Sequence, residues 1–422
     1  MSSNDQIDKV SVLKLTLHGQ LVGYLAGFQS GRNVLSFAPE YKNNPGRPTF
    51  SLVTHPNFPK SEELMSQTWA KKQKLHPVLS NLLPEGSPRD LLSQELKIHI
   101  DNEFRMFSHL GRDLPGALVA TPMDPQDVPT SIMNTHGPAQ AIKFGEMDQT
   151  PKFSLAGVQM KFSMKAMGSR YNFSENGELG DWIIKTPSTQ HKHVPLNEFT
   201  AMTLAELAGV DIPEIKLIER TRLDNLPSIN LPDEELAFAI KRFDRDGNTR
   251  IHMEDFAQVL VKDPRNKYDS ANYEQIGRVL YEFSGDGLAD AQQFARRLLV
   301  NILLANGDAH LKNWSLYYPD QITPRLSPAY DIVTTNVYFD DETKYALNLG
   351  KTKEWYSVTE KHFQAWANNS GIPWRAIKPH IDDTMDKARS LWPEALKTLP
   401  MDAKHNEKLR AHWGRLQNDF KI

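Results

Sequence analysis

The chain contains no cysteine among its 422 residues, which excludes a disulfide framework and any thiolate-bound metal and suits a reducing cytoplasm. It also lacks long apolar runs. Nothing approaches the roughly 18 residues of a membrane span, and the opening Met1-Ser2-Ser3-Asn4-Asp5-Gln6 is polar, so a soluble cytoplasmic protein without a membrane partner is expected. Charge of one sign is scarce as well: 49 Lys and Arg stand against 52 Asp and Glu, for a net charge of -3. With no basic excess, contact with DNA would be local or through a partner. No internal repeat and no low-complexity tract stands out. What is present is ordinary for a folded chain long enough for two or three domains, with 39% hydrophobic and 24% charged residues.

The most informative stretch is Asn306-Gly307-Asp308-Ala309-His310-Leu311-Lys312-Asn313, followed later by Asp331 in Ser327-Pro328-Ala329-Tyr330-Asp331. Phosphoryl transfer needs a carboxylate to orient the attacking hydroxyl, an amide oxygen on the same short loop to hold Mg²⁺, and a second carboxylate to complete the metal shell. Asp308, Asn313 and Asp331 supply that chemistry in that order, and His310 between the first two can brace the loop. In front of the loop, Phe294, Leu298, Leu299, Ile302 and Leu303 make an apolar segment buried on most sides, which predicts a core helix. Gly307 is placed to end that helix.

From Val12 to about Phe37 the pattern alternates, with Leu13, Leu15 and Leu17 on one face and a His18-Gly19 turn before Leu21, which predicts an antiparallel meander. A helix opened by Ser87-Pro88 and a closing strand over Gly116–Ala120 complete a small α/β unit. Residues from Pro122 to about Gln149 carry Pro125, Pro129 and Pro138 without a convincing period and read as a linker. Strands are expected over Phe153–Phe162, Trp182–Lys185 and Ala237–Phe243, with a helix over Asn197–Ala208 capped by Gly209. Beyond Arg250 the pattern turns helical: Ile276, Val279, Leu280 and Phe283 form one stripe, and Trp374, Trp392 and Trp413 are available to pack the last helices. The fold expected is α+β: a bilobal, protein-kinase-like arrangement with an N-terminal α/β subdomain, a sheet-rich nucleotide lobe and an all-helical C-terminal lobe. The boundaries fall at 1–124, 125–150 (linker), 151–246 and 247–422.

A lysine on a strand should neutralise nucleotide phosphates while a glutamate on the next helix holds it. Lys185 and Glu198 are the candidates. Ser154-Leu155-Ala156-Gly157-Val158-Gln159-Met160-Lys161 offers small residues, an amide and a cation for a phosphate loop, although it is neither a Walker A sequence nor a protein-kinase glycine loop. A strand with a glycine bulge is the other reading of it. Ile240-Lys241-Arg242-Phe243-Asp244-Arg245 ends the last strand of the lobe, where adenine should be received. Phe243 is equally suited to the core.

Together these pieces resemble the HipA family of bacterial serine/threonine toxin kinases. The likeness rests on Ser154-Leu155-Ala156-Gly157-x-Gln159-x-Lys161, Asn197-Glu198-Phe199, Arg242-Phe243-Asp244-Arg245, Glu254-Asp255-Phe256-x-Gln258, the Asp308 loop and Tyr330-Asp331-Ile332. Asn81-Leu82-Leu83-Pro84-Glu85 and Gly111-Arg112-Asp113-x-x-Gly116-Ala117 look like motifs of the family's amino-terminal subdomain. The resemblance implies an ATP- and Mg²⁺-dependent protein kinase that acts as a toxin by phosphorylating a translation component, glutamyl-tRNA synthetase in the best-known members. It implies Asp308 as base, Asn313 and Asp331 as metal ligands and Lys185 on phosphate. Ala156, Gly157, Val158, Gln159, Met160 and Lys161 would cover the phosphates. Lys241, Arg242 and Phe243 would lie at adenine, with His310, Lys312 and Tyr330 completing the nucleotide site.

By the same resemblance Ser154 is an inhibitory autophosphorylation site, and the partner is a small helix-turn-helix antitoxin dimer of the HipB type that carries the chain to operator DNA. Two positions depart from the family pattern: Met160 and Lys241 stand where relatives often have Glu. Two rival readings are a small-molecule kinase of the aminoglycoside or choline type and a non-catalytic corepressor.

Overall fold

The computed structural model describes residues 7–133, 137, 139–144, 160–172, 179–226, 231–268 and 270–422. The chain divides into two compact units. One comprises 1–153 with 250–264 and 318–322, the other 154–249 with 265–317 and 323–422. No helix among the described residues is long and apolar enough to cross a membrane.

The first unit is built on the expected meander. Strands β1 (Asp8–Leu17), β2 (Gln20–Phe28), β3 (Arg32–Phe37), β4 (Trp69–Lys72) and β5 (Leu118–Pro122) lie in the order β4-β3-β2-β1-β5, and β6 (Ala139–Ala141) runs parallel to the start of β1. The two-residue turn between β1 and β2 puts both His18 (φ +50°) and Gly19 (φ +78°) in the left-handed region. That backbone matches the twist of the flanking strands. Period-two alternation then sends Leu13, Leu15 and Leu17 to one face, where they pack with Phe37, Trp69 and residues of helices α1 (Gly86–Glu95) and α2 (Glu103–Leu110).

The opposite face is covered too. Val10, Val12, Ala26 and Val34 pack against Val128 and Ile132. Residues 125–141, aperiodic in sequence, thus carry a short 3₁₀ turn, a helical turn and β6 while burying apolar side chains against the sheet. Isolated turns of this length leave no repeat for a periodicity test to find.

Residues 250–264 and 318–322, inside the span expected for the helical lobe, are compact with this first unit. Glu254 is the reason. Fully buried, its carboxylate accepts from Ser51 Oγ (2.7 Å), the Leu52 N–H (2.7 Å) and the Tyr318 hydroxyl. Nearby, Asp255 and Gln258 form a reciprocal helix cap, and the Gln258 amide donates to the Val78 carbonyl at 2.7 Å.

The second unit opens with a six-stranded sheet of β7 (Lys161–Met167), β8 (Arg170–Asn172), β9 (Trp182–Lys185), β10 (Ile215–Glu219), β11 (Leu223–Asp224) and β12 (Leu236–Lys241), in the order β10-β12-β9-β7-β8-β11. Helix α3 (Val194–Leu207) packs on β10 and β12. It begins one turn before its predicted start because Pro195, which lacks an N–H, fits the first turn. Gly209 at φ +87° follows its end, as expected.

Helices α4 (Tyr273–Phe283), α5 (Gly287–Leu303), α6 (Glu360–Asn369), α7 (Trp374–Ala395) and α8 (Ala403–Arg415) form the other lobe of this unit. Two short antiparallel ladders border them, one pairing Leu316 with Leu326 and one pairing Leu349 with Thr352. The late tryptophans tie the helices together. Trp392 donates its indole N–H to the Leu204 carbonyl (2.8 Å) and Trp413 to the Leu303 carbonyl (2.9 Å), with the rings 5.8 Å apart. Trp374 is only half-buried.

Candidate active site

Helix α5 delivers the catalytic-type loop. It ends at Leu303, and the left-handed residue of its cap is Ala305 (φ +48°) rather than the expected Gly307. The Asn306 N–H bonds to the Asn301 carbonyl (2.9 Å) and the Ala305 N–H to the Ile302 carbonyl (3.1 Å), the paired bonds of a Schellman cap. Gly307 serves another purpose. A Cβ there would lie 2.2 Å from Glu342 Oε1 and 3.1 Å from the Lys344 carbonyl, so a side chain would require the Glu342 carboxylate to move.

Residues 308–313 have little regular structure, yet five of their six carbonyls are engaged. The Asp308 carbonyl accepts from the His310 N–H (2.7 Å) and the Asn313 amide (2.7 Å), and the Ala309 carbonyl from the Tyr273 hydroxyl (3.0 Å) and the Trp314 indole (3.2 Å). The His310 carbonyl accepts from the Asn313 N–H (3.0 Å), the Lys312 carbonyl from the Tyr330 hydroxyl (2.9 Å) and the Asn313 carbonyl from Arg297. A loop held this way keeps its backbone in place without reorganising. Because the Asn313 Nδ2 is committed to the Asp308 carbonyl, its amide oxygen is left as an acceptor. That oxygen makes no hydrogen bond among the described residues.

Asp331 reaches the same place from a separate segment. Asn306 joins the two: its Oδ1 accepts the Asp308 N–H (3.1 Å) while its Nδ2 donates to the Asp331 carbonyl (3.4 Å) and to Asn301 Oδ1 (2.7 Å). Past Asp331, Asn197 on α3 grips both backbone groups of Thr334, accepting its N–H (3.0 Å) and donating to its carbonyl (2.9 Å). Asp331 itself has φ +54°, a left-handed conformation that Asp and Asn tolerate best among residues with a Cβ.

The carboxylate of Asp331 meets the predicted lysines. Lys185, at the end of β9 and 4% exposed, donates to both Glu198 and Asp331, and Lys161 at the start of β7 reaches Asp331 Oδ2 at 3.1 Å. Burial disfavours charge on Asp331, but Lys161 and Lys185 outweigh it and hold the carboxyl far below the usual carboxylate range. Burial likewise works against the Lys185 ammonium, and Asp331 with Glu198 overcomes it and raises the lysine above its ordinary value. Asp331 and Lys185 therefore favour their charged forms together, while burial pushes the Glu198 carboxyl up against the pull of Lys185.

The predicted adenine end lies at the end of β12. The Lys241 N–H is taken by the Glu214 carbonyl (2.8 Å) and the Arg242 N–H by the Asp181 carbonyl (2.9 Å), whereas the Phe243 N–H makes no hydrogen bond among the described residues. The Arg242 guanidinium is spent on a two-pronged bond to Asp244 (2.8 and 2.7 Å) and on Ser163 Oγ (2.8 Å). The Phe243 ring stacks on Tyr330 at 5.8 Å and 29°. Met160 precedes β7, with its carbonyl accepting the Thr186 N–H at 2.9 Å. Ser154, Ala156, Gly157, Val158 and Gln159 lie outside the described residues.

The arrangement brings Asp308, Asn313, Asp331, Lys185, Lys161, His310, Lys312 and Tyr330 into one connected network, with Phe243 joined to it through Tyr330. Hard oxygen donors and few carboxylates suit Mg²⁺, which is held by one or two carboxylates together with phosphate oxygens. Three participants carried no sequence signal of their own: Asn306 as the bridge, Arg297 from α5, and Tyr268, whose hydroxyl donates to Asp308 Oδ1 at 2.5 Å.

The chain is similar to known proteins in its domains and its fold. The profile of the HipA N-terminal domain matches residues 13–121 and that of the HipA-like C-terminal domain residues 153–392. A Sinorhizobium fredii protein named as a kinase, Y4dM, is 38% identical over 96% of this chain and 97% of its own length. The serine/threonine-protein kinase toxin HipA of Shewanella oneidensis is 23% identical over 84% of this chain and 85% of its own. The fold is shared with a solved structure from Shewanella oneidensis, described as HipA, HipB and operator DNA in complex, at a TM-score of 0.70, 20% identity and coverage of 96% and 95%. The chain belongs to the HipA family of kinases.

Proposed function

We propose that this protein is an ATP- and Mg²⁺-dependent serine/threonine protein kinase and the toxin of a toxin-antitoxin module. The observation that carries the reading is the convergence of the Asp308–Asn313 loop, Asp331 and the Lys185–Glu198 pair, each from a different element, on one network. In this reading Asn313 Oδ1 and Asp331 hold the metal, which when bound neutralises charge on the transferring phosphoryl group. Lys185, kept protonated by its two carboxylates, turns toward the nucleotide phosphates with Lys161 beside it. Phe243 offers its unpaired N–H to the adenine edge. Asp308 orients the acceptor hydroxyl and takes its proton.

The acceptor is a serine or threonine of a protein, glutamyl-tRNA synthetase by the family resemblance. The partner is a helix-turn-helix antitoxin dimer of the HipB type, through which the chain meets operator DNA. A net charge of -3 supports contact with DNA that is mainly indirect. Ser154 is proposed as the inhibitory autophosphorylation site, since a phosphate there would repel the nucleotide's own phosphates.

The test is expression of wild type beside Asp308→Ala and Asp331→Ala with phosphoproteomics of the same cells. Growth arrest and a new phosphoserine on a translation component should appear with wild type alone. Equal arrest by all three would sink catalysis as the cause.

A further inference from the structure

The Asp308 side chain stands well open, at 49% exposure. A carboxylate so placed has several rotamers available and needs something to hold it. The hydroxyl of Tyr268 donates to its Oδ1 at 2.5 Å. Oδ2 makes no hydrogen bond among the described residues. The tyrosine, itself 38% exposed, has contacts of its own. Its ring meets His310 edge-on at 5.0 Å and 78°, its carbonyl accepts from Lys353 Nζ (3.3 Å), and the preceding carbonyl, of Lys267, accepts the Leu311 N–H (3.3 Å). The segment before α4 is thus pinned to the Asp308–Asn313 loop through its backbone on one side and through its phenol on the other.

We infer that Tyr268 is a positioning residue of the phosphoryl-acceptor half of the site, one that anchors Asp308 by one oxygen so that the other faces the incoming hydroxyl. The inference rests on Asp308 being the base. Asp308 Oδ2 then takes the acceptor's proton as the acceptor oxygen bonds to the γ-phosphorus and the bridging bond to the β-phosphate breaks, releasing ADP. A phenol bonded to a carboxylate is worth more than a neutral pair. Its loss misdirects the base without touching the nucleotide, so the effect belongs in kcat and not in ATP binding.

The experiment compares wild type, Tyr268→Phe, Tyr268→Leu and Asp308→Asn by the rate of ADP formation from Mg·ATP with water as acceptor, and by the affinity of each for Mg·ATP. Tyr268→Phe keeps the ring against His310 and should lower kcat by about ten- to a hundredfold with the KM for ATP unchanged. Tyr268→Leu, without the ring, should show at least that loss. An unchanged or faster rate in Tyr268→Phe would overturn the inference, because the hydroxyl would then be idle or in the acceptor's way. So would a phosphate found on Tyr268 of the wild type and absent from Asp308→Asn, since the phenol would then be an acceptor. Full activity of Asp308→Asn would instead strike the underlying assignment of the base, whatever Tyr268→Phe did.

Discussion

Lys185 and Asp331 form a partly buried ion pair across the two halves of the second unit, the lysine at a strand end of the sheet and the carboxylate on the segment that returns beside the Asp308 loop. Lys161 takes the second oxygen of the same carboxylate. Two cations therefore flank the Asp331 carboxylate, and they hold it in its ionised form.

Asp331→Asn should abolish phosphoryl transfer, by about a thousandfold or more, and still give a folded protein, because Asn accepts the left-handed backbone at this position. Stability against acid separates the two proteins. The folded value of the Asp331 carboxyl is depressed, so its contribution is complete above the unfolded value of about 3.9 and is lost as the pH falls below that. Acid titration followed by circular dichroism should show this loss below about pH 4 in wild type, and a flatter response in Asp331→Asn.

Glu254 in the first unit should act with the opposite sign. Burial pushes its carboxyl up to about 7, only partly opposed by the bonds from Tyr318, Ser51 and Leu52. A group whose folded value is raised binds its proton more tightly in the folded state. Stability is thus greatest below the unfolded value, near pH 4.5, and falls as the pH rises toward 7, by about 3 kcal/mol in all. Glu254→Gln can keep an acceptor toward Leu52 and Tyr318 and a donor toward Ser51. Urea unfolding from pH 5 to 8 should show a slope in wild type that the variant lacks.

Arg297, 3% exposed on α5, lies over the Trp314 ring at 4.4 Å and near the Tyr330 ring at 5.5 Å while donating to the Asn313 carbonyl. Burial pulls its guanidinium down to about 10, which leaves it charged at neutral pH. A lysine cannot reproduce the flat stacking over Trp314. Arg297→Lys should cost about 1.5–3 kcal/mol of stability and raise the Mg²⁺ concentration needed for half-maximal activity, as Asn313 loses its support. Unchanged magnesium dependence would mean that the arginine serves packing alone.

Asn306→Ala removes the bridge between the Asp308 N–H and the Asp331 carbonyl. The turnover rate should fall by roughly ten- to a hundredfold, more than the KM for ATP rises, with the Asp308→Asn, Asn306→Ala double variant no slower than Asp308→Asn alone.

Much of this site was legible because its chemistry is carried by residue types at fixed separations. Asp308 and Asn313 share one loop, and Trp182–Lys185 followed by a helix containing Glu198 is a local pattern. The residues that hold those groups in place were not legible. Tyr268, Arg297 and Asn306 act through hydrogen bonds whose partners are set by tertiary packing, and a tyrosine before a helix or an arginine within one has no distinguishing period. The same holds for Ala305, whose left-handed turn is imposed by the Schellman bonds and not by its own preference. At the proposed adenine end, backbone pairing decides the matter: it consumes the N–H groups of Lys241 and Arg242 and leaves that of Phe243, a difference sequence alone does not contain.

Transfer of labelled phosphate from Mg·ATP by wild type and by Asp308→Asn, measured on protein whose Mg·ATP affinity has been determined in parallel, bears most directly on the site. Asp308→Asn should bind Mg·ATP as tightly as wild type and transfer phosphate about a hundred to ten thousand times more slowly. Transfer at the wild-type rate would contradict the assignment of Asp308 and, with it, the phosphoryl-transfer reading of the whole network.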